Sequence, residues 1–296
     1  MKKPSVLITG ATGFIGQRFL QRIDKRRWQV FALGRRKPAD FSMQGIADFF
    51  EQDISKPFRL NIPFDYVFHL AACNITHGGE PDLDIYRRMN VHGTQHVIEA
   101  LSAQNLIVMS SAKVYARQGK AFNEQSVLGP ARDYEKSKLE AEDICRTLYK
   151  GKLFILRSTN VVGPGQADKA IVPVCFKNAL AGRPLEILAP LRTRLQLLYV
   201  DDLIDLFEKI LAGQGMPGTY NVASPKAITL ETLAKAIVRV CKSSSPVRSS
   251  IKGSVPFVPV DASKAKKTFQ WQPKTPLESM LGDCHRYYKK AYEHKN

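Results

Sequence analysis

The sequence predicts an α/β fold, a doubly wound parallel sheet followed by a smaller C-terminal lobe. Three observations carry that reading. Short apolar runs alternate with amphipathic stretches, a glycine turn follows the first run, and a tyrosine and a lysine stand four residues apart at a later helix start. The apolar runs lie near residues 5, 30, 49, 66, 106 and 153, each short enough to be a strand covered on both faces. With helices between them they build a parallel sheet through about residue 163. At 296 residues the chain can bury a large core in two lobes, 1–163 and 164–296, with Gly163-Pro164-Gly165 at the boundary. Pro-rich loops are expected over 183–190 and 246–259, and residues 195–223 are expected to return to the first lobe.

Residues 5–9 run straight into Gly10, Gly13 and Gly16 and then into an amphipathic stretch over 14–24, the strand, turn and helix order of a dinucleotide-binding turn. Glycines there permit positive φ, let the backbone approach a pyrophosphate and let the helix pack closely on the strand. The helix N-terminus offers N–H groups to the anion. Gly10, Thr12, Gly13, Phe14, Ile15 and Gly16 are therefore candidate cofactor contacts.

The second strand, expected over 28–33, bears on which dinucleotide binds. An NAD enzyme places Asp or Glu about twenty residues past the turn, where it holds the ribose 2′-hydroxyl. This chain has Gly34, Arg35, Arg36 and Lys37. Guanidiniums clamp a 2′-phosphate with charge-assisted, often bidentate hydrogen bonds, so Arg35 and Arg36 favour NADP, with NAD as the alternative. The plain reading is a solvated basic loop.

Tyr134 and Lys138 share one face of a helix predicted over 133–149. A neighbouring ammonium and an oxidised nicotinamide both favour phenolate, which makes Tyr134 usable as a general acid or base; the plain reading is a surface tyrosine beside a solvated lysine. Residues 108–115 read as a strand ending in hydroxyls, and Ser110 and Ser111 there could bond a substrate oxygen at the sheet's carboxyl edge.

With these motifs in this order, the chain resembles the extended short-chain dehydrogenase/reductase superfamily, in its epimerase/dehydratase-like branch acting on nucleotide sugars. The resemblance spans nearly the whole chain. Further landmarks are Asp53-Ile54, His69-Leu70-Ala71-Ala72, Asn90 to Thr94, Arg157 to Gly165, Tyr199-Val200-Asp201-Asp202, Tyr220-Asn221-Val222 and Asp261 to Lys267. The resemblance implies a Rossmann sheet with a smaller substrate-binding lobe. It also implies that Asp53 and Ile54 meet the adenine, that Leu70, Ala71 and Ala72 line the dinucleotide cleft, and that Lys138 bonds the nicotinamide ribose. Ser111 aligns with the family's catalytic Ser/Thr, and Asn160 with a position contacting the sugar or its diphosphate. Asn90 reads rather as a helix cap.

Composition agrees. The formal charge of +17 would concentrate anionic dinucleotide and substrate near the protein. The cations are scattered and no nucleic-acid-binding motif is present, so no nucleic-acid partner is expected. Neither a signal peptide nor an apolar 18-mer appears, which points to a cytoplasmic protein without membrane partners. The periodic tail from Leu277 reads as a helix with one buried face. Cysteines at 73, 145, 175, 241 and 284 lack paired spacing, so neither a disulfide framework nor a metal site is expected.

A 4,6-dehydratase of the resembled family follows its Ser/Thr with an Asp-Glu pair; here Ala112 and Lys113 stand there, and dehydration loses its proton shuttle. An NADPH-dependent reductase of a keto-sugar is favoured, with a 4-epimerase that retains its cofactor, or a non-catalytic NADP(H)-binding module, as alternatives. The family also carries a Gly-Asp-Gly-like turn and an Arg five residues before the Val of Tyr-Val-x-Asp, where this chain has Ala189-Pro190 and Leu195. Arg194, with Arg192 beside it, becomes the candidate diphosphate contact, unless the substrate lacks a diphosphate. Family habit implies a homodimer formed through helices over 83–104 and 133–149.

Overall fold

Strand β1 (Ser5–Thr9) lies deep in the molecule because its side chains alternate between two cores. Val6 and Ile8 face one, Leu7 faces the other, and all three are fully buried. The computed structural model describes residues 3–74, 82–253 and 255–293. Around β1 the chain lays down β2 (Gln29–Gly34), β3 (Ile46–Glu51), β4 (Pro63–His69), β5 (Ser102–Ser111) and β6 (Lys152–Ser158), the strands expected from the sequence. Between them run α1 (Phe14–Arg22), α2 (Leu83–Tyr86), α3 (Gly93–Ala100) and α4 (Asp133–Leu148). Beyond β6 come β7 (Asn160–Val162), α5 (Ile171–Leu180), β8 (Leu185–Glu186) and β9 (Arg194–Tyr199). The chain continues through α6 (Val200–Leu211), β10 (Gly218–Val222), β11 (Ala227–Thr229), α7 (Leu230–Val240), β12 (Val247–Arg248), α8 (Ser263–Phe269) and α9 (Leu277–Glu293).

The main sheet has the order β10-β6-β5-β4-β1-β2-β3, with every neighbouring pair parallel. Register places Ile8 between Ala32 and Phe68, so apolar rows run across the sheet. Helices α1 and α6 cover one face, where Phe19 meets Phe68 at 4.8 Å and Phe207 at 5.1 Å in edge-to-face contacts. On the other face Val97 of α3 and Cys145 of α4 join Leu7, Phe31, Val67 and Leu106.

Residues 195–223 divide between two sheets. β10 forms the edge of the main sheet beside β6, and α6 is tied to α1 by Arg18 on Asp201 (2.6 Å) and Arg22 on Asp205 (2.8 Å). β9 instead pairs with β7 and β11 in a three-stranded sheet. The stretches expected to be Pro-rich loops contain β8 and β12, which pair in parallel. The tail helix α9 buries Met280, Leu281, Cys284 and Tyr288, as its periodicity implied. Among the described residues, no helix is long and apolar enough to cross a membrane.

The continuous helix expected over 83–104 is broken. Arg87–His92 widens into a π-helical turn between α2 and α3, and Leu101 is extended. Residues 102 and 103 belong to β5, where they pair with Pro63 and Phe64; inter-strand bonds displace the last helical turn.

Candidate active site

The turn after β1 is shaped by contacts that only glycine tolerates. Gly10 has φ +66°, and a Cβ there would lie 2.7 Å from the Ala71 nitrogen. A Cβ on Gly16 would collide with the Gly10 carbonyl, so α1 packs directly on the turn. Gly13 departs from the expected positive φ. Its φ of −82° and ψ of 170° make it the N-cap of α1, without a side-chain acceptor for the first-turn N–H groups. The cradle therefore fits a pyrophosphate, and Phe14 and Ile15 form the first turn above it.

Next to the cradle, Gly34 lies against Thr12 and Phe49, and Arg35, Arg36 and Lys37 follow it on the exposed surface. Asp53 stands nearby: burial pushes its carboxyl up, but hydrogen bonds from Ser55 and the charge of Arg35 outweigh this and hold it below the usual range. Ile54 is buried, and its carbonyl pairs with His96 Nδ1 at 2.8 Å. Leu70, Ala71 and Ala72 leave β4 half-buried, with the Ala71 N–H donating to Thr9 Oγ1 at 3.2 Å.

That threonine reveals a group to which the sequence reading assigned no role. His69 is buried between Thr9 Oγ1 (2.8 Å from Nδ1) and Thr94 Oγ1 (2.9 Å from Nε2), and Thr94 donates to the Asn90 carbonyl at 2.6 Å. Burial, with Lys138 nearby, lowers its pKa to about 3, so it is a neutral strut. Asn90 sits inside the π-helical turn and caps nothing. Its side chain holds the backbone of Cys73 (2.7 and 3.0 Å) and donates to Ser137 Oγ at 3.0 Å.

Helix α4 starts where Glu135 accepts the N–H groups of Ala131 and Arg132 at 3.0 and 3.1 Å. Tyr134, Lys138 and Glu142 then follow at four-residue spacing. Lys138 is buried and donates to the Met109 carbonyl of β5 at 2.6 Å, and burial lowers its pKa to about 8. Tyr134 is half-buried, edge-on to Tyr86 at 5.7 Å, with its hydroxyl 3.4 Å from Asn74 Oδ1. Burial pushes its phenol up to about 12, against a hydrogen bond with Ser111 that pulls it down. The expected depression below the ordinary value does not appear, because desolvation outweighs the favourable contacts and the Lys138 ammonium is tied to a carbonyl.

The two serines at the end of β5 part company. Ser110 donates to Glu142 at 2.5 Å, while Ser111 bonds the Tyr134 phenol and accepts the Lys113 N–H at 3.2 Å, opening a short 3₁₀ turn over Ala112–Val114. Ser111, Tyr134 and Lys138 thus converge at the carboxyl edge of the sheet. Behind them lies a buried polar chain that the sequence did not reveal. Arg157 donates to Glu142 (2.6 Å) and to the Tyr115 hydroxyl (3.0 Å), and Tyr115 donates to Asn221 Oδ1 (2.7 Å). The Asn221 amide reaches the carbonyls of Phe122 and Asp261 at 3.1 Å each.

Asn160 is exposed at the start of β7, in register with Leu197. By strand alternation it shares the face of Leu197 and Leu195, whereas Arg194 lies on the other face, its guanidinium 5.3 Å from the Phe257 ring. The structure does not bring Arg194 and Asn160 together.

Comparison with known proteins agrees with this geometry. The chain is 24% identical over 307 aligned positions to a dTDP-4-dehydro-6-deoxyglucose reductase of Escherichia coli, covering 94% of this chain and 95% of that one. The solved UDP-glucuronic acid 4-epimerase of Bacillus cereus, in complex with UDP-glucuronic acid and NAD, superimposes with a TM-score of 0.83 at 25% identity, covering 97% of this chain and 100% of that one. RMD from Pseudomonas aeruginosa, complexed with NADPH, shares the fold with a TM-score of 0.81 at 19% identity, covering 98% and 100%. Residues 6–223, which hold the glycine turn, Ser111, Tyr134 and Lys138, match the model of the NAD dependent epimerase/dehydratase family, and this chain, an enzyme with a nicotinamide dinucleotide as its cofactor, belongs to that family.

Proposed function

We propose that this chain is an NADPH-dependent reductase that converts a keto group of a nucleotide-linked sugar to a hydroxyl. The observation that carries the reading is the exposed Arg35-Arg36-Lys37 triplet directly after β2, where an NAD enzyme keeps a carboxylate. When bound, the dinucleotide supplies a hydride. Tyr134, protonated at neutral pH because burial holds its phenol near 12, gives its proton to the developing alkoxide. Ser111 orients that oxygen, and Lys138 supports the ribose from the floor of the cleft. Ala112 and Lys113 provide no carboxylate pair for expelling a hydroxyl, which sets dehydration aside. Asn160 contacts the sugar or its diphosphate; Arg194 would reach the diphosphate through a rearranged loop at the start of β9. The full-length similarity to the E. coli reductase supports the same direction.

The second reading, a 4-epimerase, is favoured by the likeness to the B. cereus enzyme. Mass spectrometry of the dinucleotide released on denaturing the purified protein separates the two. A protein that emerges empty, binds NADPH more tightly than NADH and oxidises it with a dTDP- or UDP-linked keto-sugar is the expected result. Near-stoichiometric retained dinucleotide would overturn it in favour of epimerisation. We also infer a homodimer through α2 to α4, where Ile85 and Leu148 are exposed, to be checked by light scattering against the chain mass of 33.2 kDa.

A further inference from the structure

We propose that Lys113 is a positioning residue for the chemistry: its ammonium, held beside the Tyr134 ring, stabilises the phenolate left behind when Tyr134 gives up its proton. The inference rests on Tyr134 being the proton donor. Lys113 Nζ stands 6.0 Å from the Tyr134 ring centroid. Its backbone is fixed by the serine that bonds the phenol, since Ser111 Oγ accepts the Lys113 N–H, and the flanking Ala112 and Val114 are buried. The side chain itself is exposed, so its charge carries little desolvation penalty.

The other groups facing the phenol leave a role for such a charge. The Cys73 thiol after β4, Tyr86 of α2 and Glu135 of α4 each disfavour a negative Tyr134, while the Ser111 hydroxyl favours it. Lys138, one helical turn along, is buried and bound to the Met109 carbonyl. Lys113 approaches from the opposite element, the 3₁₀ turn after β5, where a carboxylate would add repulsion. In the step itself the phenol O–H bond breaks and its proton forms the new hydroxyl on the substrate. Lys113 keeps its own proton and contributes charge alone. A unit charge at this range moves an ionisation by about half a pH unit in bulk water and by about two units at an effective protein dielectric of ~20.

The test is a near-ultraviolet titration of tyrosinate absorbance in the full chain saturated with NADP⁺, with Tyr134→Phe as the blank. Lys113→Met is expected to raise the Tyr134 midpoint by about one pH unit, and Lys113→Arg to restore it. An unchanged midpoint in Lys113→Met, with NADP⁺ still bound, would overturn the proposal. If Tyr134→Phe keeps wild-type turnover of NADPH with a keto-sugar, the proton-donor reading of Tyr134 falls first and takes this inference with it.

Discussion

Burial raises the Tyr134 phenol to about 12, so at neutral pH the side chain carries the proton that a reduction consumes. Tyr134→Phe is expected to lower kcat by roughly 10²–10⁴-fold while leaving the dinucleotide Kd within about twofold, read by steady-state kinetics and fluorescence titration. His69 offers a prediction of another kind. Its pKa falls from 6.5 to about 3 in the folded protein, so its neutral form contributes stability that is complete above pH 6.5 and is lost as pH falls toward 3. The full loss is on the order of 5 kcal/mol, and His69→Gln should flatten that acid limb in urea melts taken across the window. Tyr134 and Lys138 were legible because a four-residue spacing is local. His69 was visible as a residue but not as a strut, because Thr9 is 60 residues away and Thr94 is 25, and no local pattern links them.

Elements were legible where their period was long enough to count. β1 to β6, α1, α4 and α9 each show enough apolar repeats to be read from sequence. The two- and three-residue strands β7, β8, β11 and β12 are shorter than any period, and the break over Arg87–His92 depends on Asn90 reaching Cys73 and Ser137 in other parts of the chain. In the glycine turn the reasons for glycine divide by position: Gly10 requires positive φ and Gly16 requires space, whereas Gly13 has an ordinary extended conformation. Gly16→Ala should therefore push α1 off the turn, costing about 1–3 kcal/mol in a chemical melt and abolishing measurable NADPH binding in calorimetry.

Across the whole molecule, the site depends on the buried chain Glu142, Arg157, Tyr115 and Asn221, which joins α4 and the main sheet to backbone at Phe122 and Asp261. Burial pushes the Glu142 carboxyl up, but its bonds from Arg157 outweigh this and hold it ionised. Arg157→Leu would leave that carboxylate to Arg146 (2.7 Å) and Ser110 (2.5 Å) and is expected to cost about 1.5–3 kcal/mol for the lost charged hydrogen bonds, seen as a lower urea midpoint. Asn221 belongs to β10, the edge strand that joins the main sheet after the chain has passed through β7, α5, β8, β9 and α6. The two lobes are therefore not modules in series. A fragment ending at residue 163 would bare the outer edge of β6 and take away the acceptor of the Tyr115 hydroxyl, so exchanging everything after that residue to change substrate preference would damage the main sheet itself.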